Sequence, residues 1–251
     1  MTSVARWGVV LLPQSLAGFE DLSREVEAHG FDWLGVADSQ SVFREMYVAL
    51  TIAALNTSRV RLGPLVTNPL TRHLVVTASA ISTVDELSAG RAALGIGSGD
   101  SAITTIGAPP ATVAGLEDAV VTLGRLTAGA SVDRGGRRWQ VRRSKRRVPI
   151  YLAAEGPRTL ELAGRVADGV IVGLGLTPDV IRLSLAAIER GAKEVRIRPR
   201  WLDTSGGTLQ RRSALRTELM IRGILVLAPG TLHAAPPESG LVKVRAVVGR
   251  D

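Results

Sequence analysis

Four short polar stretches of this chain join residues that could hold a ligand. Gly97-Ser98-Gly99-Asp100 sets two glycines and free backbone amides beside a carboxylate. Glycine lets the backbone approach a ligand closely, and successive amides favour a phosphate or another anion. Ala153-Ala154-Glu155-Gly156-Pro157-Arg158 places free amides at a helix start with a guanidinium beside them, a second way to hold phosphate. Thr67-Asn68-Pro69 is a polar turn directly after an apolar run, where proline stops sheet pairing. Asp38-Ser39 ends another apolar run in the same manner. Each residue also has a purely structural reading: Asp38 as a helix N-cap, Asp100 as a solvated loop carboxylate capping local amides, Arg158 as a surface helix residue. The GIGSGD glycines follow a strand with a long loop behind them, which argues against a dinucleotide-binding fingerprint.

The elements that carry these stretches alternate regularly. Apolar runs at Trp7–Leu12, Trp33–Ala37, Val60–Val66, Ala92–Ile96, Val148–Ala153 and Val170–Gly173 read as strands buried on both faces. Between and after them, 16–29, 45–56, 71–87, 113–126, 157–166 and 178–191 read as helices, with 104–110 as a loop. His29, before Gly30, reads as a C-terminal capping residue. Six βα units specify a parallel sheet with helices outside it, and 251 residues suit one (β/α)8 TIM barrel. In such a fold the loops after strands face the active-site end, which is where all four stretches stand. Gly135-Gly136 marks a hairpin-like excursion ending in the RRSKRR run at 142–147.

After Lys193 the pattern weakens, so the expected division is a barrel over 1–192 and a divergent basic segment over 193–251. Stretches 215–222, 224–228 and 241–248 read as helix, strand and strand, whereas WLDTSGGTLQRRS and APGTLHAAPPESG are rich in Gly, Pro and polar residues. Either the barrel closes irregularly after its sixth unit or it is incomplete. An incomplete barrel leaves two open strand edges, and a homo-oligomer is the expected consequence.

The formal charge is +8. Residues 133–147 hold eight Arg/Lys against one Asp, and residues 193–251 hold eleven against five acidic residues, so the remainder is net −5. The basicity therefore sits in the excursion and the tail. Each segment carries only one tryptophan, Trp139 and Trp201, and neither carries a known reading motif, which speaks against nucleic acid as a partner. Cysteine is absent and His29, His73 and His233 show no ligand spacing, so no metal is expected. No charged-then-apolar leader opens the sequence and no apolar run reaches the ~18 residues of a membrane span, which leads to the expectation of a cytoplasmic protein.

Three blocks, VTNPLTRH at 66–73, VDELSAGRAALGIGSGD at 84–100 (with Val84 where Leu is usual) and YLAAEGPRTLELAGRVADGVIVG at 151–173, resemble the luciferase-like superfamily of flavin and deazaflavin oxidoreductases. The resemblance is strongest to the F420-dependent methylenetetrahydromethanopterin reductase type. It implies hydride transfer between F420, or FMN as the alternative, and a small organic substrate. It also implies a non-proline cis peptide at Leu65-Val66 against the cofactor ring, with Thr67 and Asn68 beside it. Gly97 and Gly99 fall to the ring and side-chain region, with Asp100 as an acid or substrate-orienting carboxylate. Ala154, Glu155, Gly156, Pro157 and Arg158 fall to the phosphate tail, grouped with Gly173 at the end of strand six, and Asp38 lies close to cofactor and substrate. Two departures stand out. Glu155 replaces a small polar residue, and Val9-Val10-Leu11 lacks the glutamate of the reductase type. An FMN-dependent monooxygenase using oxygen and a truncated, non-catalytic barrel relative are the alternative readings.

Overall fold

The computed structural model describes residues 7–173, 177–195, 218–221, 226–227 and 247–248. The six apolar runs form six strands, β1 (Gly8–Leu11), β2 (Trp33–Val36), β3 (Arg61–Pro64), β4 (Leu94–Ile96), β7 (Ile150–Ala153) and β8 (Gly169–Val172). Each is followed by helix: α1 (Phe19–Ala28), α2 (Met46–Asn56), α3 (Leu74–Leu87), α5 (Val113–Thr127), α6 (Pro157–Val166) and α7 (Pro178–Val195). Local chemistry sets the helix ends. The Glu45 carboxylate accepts from Val48 N at 3.0 Å to cap α2, Pro157 opens α6, and His29 closes α1 before Gly30 takes a φ of 79°.

Strands β1, β2 and β3 pair in parallel, as do β4, β7 and β8. Parallel bridges Leu62↔Ala92 and Thr67↔Ile96 join the two groups, so the six run in chain order through one parallel arrangement. Both outer edges are taken by short tail strands: β9 (Glu218–Ile221) lies parallel to β8, and β10 (Val226–Leu227) lies parallel to β1. β11 (Val247–Val248) adds antiparallel to β9. No pairing between β9 and β10 is recorded among the described residues.

Three expectations change. Stretch 215–222, read as helix, contains strand β9, because the free edge of β8 outweighs a short and ambiguous apolar spacing. A single helical turn, α4 (Ser101–Thr104), follows Asp100 at once where a long loop was expected; the Asp100 carbonyl accepts from Ile103 N and Thr104 N, and one turn is too short to show a period. Strand β4 starts at Leu94, with Ala92 held only by its isolated bridge. The excursion is the expected hairpin, β5 (Val132–Arg134) against β6 (Arg137–Trp139) around Gly135-Gly136. The polar stretches 201–213 and 228–240 lie outside the described residues.

Alternation along each strand splits the core in two. Outward residues such as Leu11, Leu34, Leu62, Leu94, Leu152 and Val170 pack under the helices. Inward, Val10, Trp33, Leu65, Ala93, Tyr151 and Ile171 form one small cluster with a residue from each of the six strand segments, so the sheet is rolled around it. The amino-terminal end of that interior is filled by large side chains. Trp33 meets Tyr151 edge to face at 5.2 Å, and the Arg61 guanidinium lies 5.5 Å from the Trp33 ring. The carboxyl-terminal end is lined by the smaller Ala37, Val66 and Ala153, each only half-buried, so this is the end of the interior open to solvent.

Candidate active site at the carboxyl ends of the strands

The open end is floored by Leu65. A Cβ on Gly35 would stand 2.7 Å from Leu65 Cγ, and one on Gly95 would stand 2.3 Å from Pro64 O and 3.0 Å from Leu65 Cδ2, so Gly35 makes room for the Leu65 side chain and Gly95 for the turn of backbone that carries it. The peptide Leu65-Val66 is cis, at the position the resemblance implies. The chain then re-enters the ladder, with Thr67 N donating to Gly95 O at 3.0 Å and Gly97 N to Thr67 O at 2.9 Å. These bonds fix Thr67, which is buried, against the GSGD loop.

Asp38 is the best-defined polar group of the site. Its side chain is 2% exposed, and Oδ2 accepts both from Thr67 Oγ1 at 2.6 Å and from Arg72 Nη1 at 2.5 Å. Oδ1 accepts no hydrogen bond among the described residues. Asp38 is therefore not a helix N-cap; it is a carboxylate held on one oxygen, with the other left to accept from a neighbour. Arg72 is held in turn by Glu45 at 2.6 Å and lies 5.4 Å from the Tyr47 ring. Burial works against the Arg72 charge, but hydrogen bonds and charge from Asp38 and Glu45 prevail and hold its pKa above the ordinary value. Burial pushes the Tyr47 phenol up. Ser39 Oγ, Tyr47 Oη and Thr71 Oγ1 are buried around this pair without a hydrogen-bond partner among the described residues.

The other expected residues divide by exposure. Asn68 is buried, and its Oδ1 accepts from Leu70 N and Thr71 N at 2.9 Å each, so it shapes the loop after β3. Asp100 is exposed, and its carboxylate makes no hydrogen bond among the described residues. Gly97 is packed between Ala153 and Val66, each 3.3 Å from where its Cβ would stand, and Gly99 has a φ of 99° with Ile103 closing the space. Ala154 is buried with its N–H on Ile171 O, whereas Glu155, Gly156, Pro157 and Arg158 are exposed at the start of α6, and Gly173 is half-buried just after β8. Val10 is the inward residue of β1, so the first strand brings no carboxylate to the interior.

Sequence reasoning missed Arg72, Glu45, Tyr47 and Gln40. Gln40 donates to Ala102 O at 2.6 Å and ties the loop after β2 to α4. The one signal available was Arg72 inside VTNPLTRH, a cation in a short loop already expected at the ligand-binding end.

Comparison with known proteins agrees with this architecture. The chain is 35% identical over 192 residues to the 5,10-methylenetetrahydromethanopterin reductase of Methanolobus tindarius, covering 71% of this chain and 56% of that protein. It is 34% identical over 182 residues to the F420-dependent glucose-6-phosphate dehydrogenase of Beutenbergia cavernae, covering 65% and 53%. The solved coenzyme F420 dependent tetrahydromethanopterin reductase of Methanopyrus kandleri superposes with a TM-score of 0.69 at 28% identity, over 77% of this chain and 62% of that one. The chain thus spans little more than half the length of the curated relatives it matches. The family model for luciferase-like monooxygenases matches residues 2–222, from before β1 to just past β9. The chain belongs to the luciferase-like monooxygenase family.

Proposed function

We propose that this chain binds coenzyme F420 at the open end of the rolled sheet and serves hydride transfer between it and a small organic substrate. The observation that carries the reading is the 35% identity to a methylenetetrahydromethanopterin reductase over 192 residues, 71% of this chain. F420, when bound, supplies a ring that accepts or donates a hydride; the protein has to hold, orient and desolvate. The residues fit that task. Leu65 and Val66 offer an apolar floor, Ala37, Gly97 and Ala153 leave room for a flat ring, and the unpartnered Ser39 hydroxyl stands beside Asp38. Asp38 Oδ1 would accept a hydrogen bond from the ring edge or the substrate, with Thr67 and Arg72 fixing its angle. Asp100, exposed at the rim, would orient or protonate the substrate. Gly156 and Arg158 at the start of α6 would meet phosphate.

The reading includes a complete (β/α)8 barrel in which β9 and β10 serve as the seventh and eighth strands, and a cytoplasmic place of action. It also includes a homo-oligomer formed through α2 and α3, where Val48 and Leu55 on one helix are 48% and 64% exposed and Val76 and Leu87 lie on the other. Titration of the purified chain with F420 and, in parallel, with FMN tests the core of it. Saturable binding of F420 with weaker or no binding of FMN is expected. Tight FMN binding would instead favour a flavin monooxygenase. Folded protein that binds neither would leave a non-catalytic relative.

A further inference from the structure

The hairpin excursion between α5 and β7 carries more positive charge than its anchoring uses. Arg134 pairs with Asp118 on α5, Arg146 with Asp85 on α3 at 2.5 Å, and Arg147 with Asp168 just before β8 at 2.7 Å. Arg137, Arg138, Arg142, Arg143 and Lys145 are exposed and enter no ion pair among the described residues. Five cations within nine residues are left facing solvent.

The contacts of the hairpin fix its direction. Arg125, in the last turn of α5, donates to Ser131 O at 3.1 Å just before β5. Three residues later, Arg134 reaches Thr122 at 2.7 Å and Asp118, nearer the start of α5. Helix α5 starts on the carboxyl-end side of the strands, so β5 climbs toward the open end and the Gly135-Gly136 turn lies beyond Asp118. Strand β6 returns with Trp139 edge-on to His73, ring centroids 4.5 Å apart. His73 is the last residue of the loop that carries Asn68 and Arg72, and its Nδ1 accepts from Val75 N to cap α3. Arg137 and Arg138, between the turn and Trp139, therefore stand on the strand that reaches the last residue of that loop.

We propose that this hairpin edge is a cationic rim that takes the anionic tail of the ligand whose ring occupies the open end. The inference rests on the F420 reading above. The loop at 154–158 offers one guanidinium, Arg158, offset by Glu155, which leaves a polyanionic tail short of positive charge on that side. The hairpin supplies cations on the other side, on a scaffold held by three ion pairs and an edge-to-face ring contact. Nucleic acid is a poorer match, because Trp139, the one aromatic residue between 130 and 147, is half-buried and packed edge to face with His73, and a lone indole makes a poor stacking platform for successive bases.

The test titrates the full chain and its Arg137→Gln/Arg138→Gln variant with two probes, F420 and the deazaflavin ring compound without its tail, at low and high salt. Both residues are exposed, and circular dichroism checks that the variant folds. For F420 we expect a Kd about tenfold weaker in the variant at low salt, with the difference shrinking at high salt, since exposed charge pairs are modest and screened. The ring compound should bind both proteins equally. Equal F420 affinity in the two proteins, or equal weakening of both probes, overturns the rim while leaving the F420 reading in place. Failure of the unaltered chain to bind either probe overturns both. A single-stranded oligonucleotide that binds the unaltered chain more tightly than F420 makes nucleic acid the partner and overturns the rim.

Discussion

Arg72 donates to Asp38 Oδ2 at 2.5 Å across 34 residues of sequence, and it is the only cation that pairs with that buried carboxylate among the described residues. Its second nitrogen is held by Glu45 at 2.6 Å, so the guanidinium bridges the start of α2 and the loop after β2. Two consequences follow from one geometry. Removing Arg72 leaves Asp38 in a nearly dry site with the Thr67 hydroxyl alone, and removing Asp38 frees Arg72 to turn toward Glu45. Arg72→Met should lower stability to unfolding by about 2 kcal/mol, below the range for fully buried pairs because Arg72 is partly exposed. It should weaken F420 binding as well. Arg72→Lys should recover part of the stability but less of the affinity, since an ammonium lacks the planar fork that reaches both carboxylates. In a double-mutant cycle with Asp38→Asn, a coupling energy above about 1 kcal/mol is expected. Additive losses would mean that the pair does not act as a unit.

A second prediction concerns the floor of the site. Gly35 faces Leu65, and a methyl group on Gly35 would overlap its side chain, with Leu65 Cγ only 2.7 Å from the new carbon. Gly35→Ala should cost about 1–3 kcal/mol, the usual penalty for overfilling a packed interior. Gly35→Ala combined with Leu65→Ala should recover part of the stability, because the second change removes Leu65 Cγ and Cδ1 and leaves only the Leu65 Cβ, 2.8 Å from the new carbon. Affinity for the ring should stay low in the double variant, whose floor has lost its isobutyl group. Recovery of both properties would show that Leu65 is core rather than ligand surface.

How far the sequence foretold these features depends on what kind of signal each leaves. The six strands and their order are legible because an apolar run followed by turn residues and a helical period is a local pattern. The hairpin was legible from Gly135-Gly136, which take φ values of 52° and 73°. The partnership of Leu65 with Gly35 was not, since a glycine in a strand shows a missing side chain without showing what fills the space. Nor was the Arg72–Asp38 pair, which joins two loops that periodicity does not relate. Strand β9 was read as helix because three apolar residues carry too little information, and pairing with β8 decides the matter.

The third prediction uses pH. Glu27 lies at the end of α1, and its carboxylate accepts from Ser58 N, Arg59 N and Val60 N ahead of β3, at 2.6 to 3.1 Å. Burial raises its pKa, but these backbone hydrogen bonds outweigh it and bring the value down from 4.5 to about 2. A carboxylate depressed in the folded state binds fewer protons there than in the unfolded chain. Its stabilisation is therefore complete above 4.5 and is lost as pH falls toward 2. Solvent screening at this partly exposed position limits the contribution to roughly 1 kcal/mol. Glu27→Gln should lower stability at pH 7 and flatten the loss between pH 4.5 and 2. A variant whose acid unfolding profile runs parallel to the parent's would rule Glu27 out as a source of it.

The last prediction compares two asparagines that sit at opposite ends of the fold. Asn68 is buried in the loop after β3, and its Oδ1 holds Leu70 N and Thr71 N, which keeps the chain turning back toward α3 and carries Arg72 to Asp38. Asn56 closes α2 at the helix-to-strand end, donating to Ile52 O at 2.8 Å and accepting from Arg24 at 2.5 Å. Each substitution to alanine removes hydrogen bonds of ordinary strength, worth about 1 kcal/mol apiece. Loss of general stability should therefore be comparable in the two variants. Affinity should separate them. Asn68→Ala releases two backbone donors beside the site and lets the Arg72 segment shift, so F420 binding should weaken at least fivefold. Asn56→Ala disturbs only the far end, and its Kd should stay within a factor of two of the parent. Equal Kd values for the two variants at matched stability would remove the loop after β3 from the binding site, and with it the reason for placing the ring over Leu65.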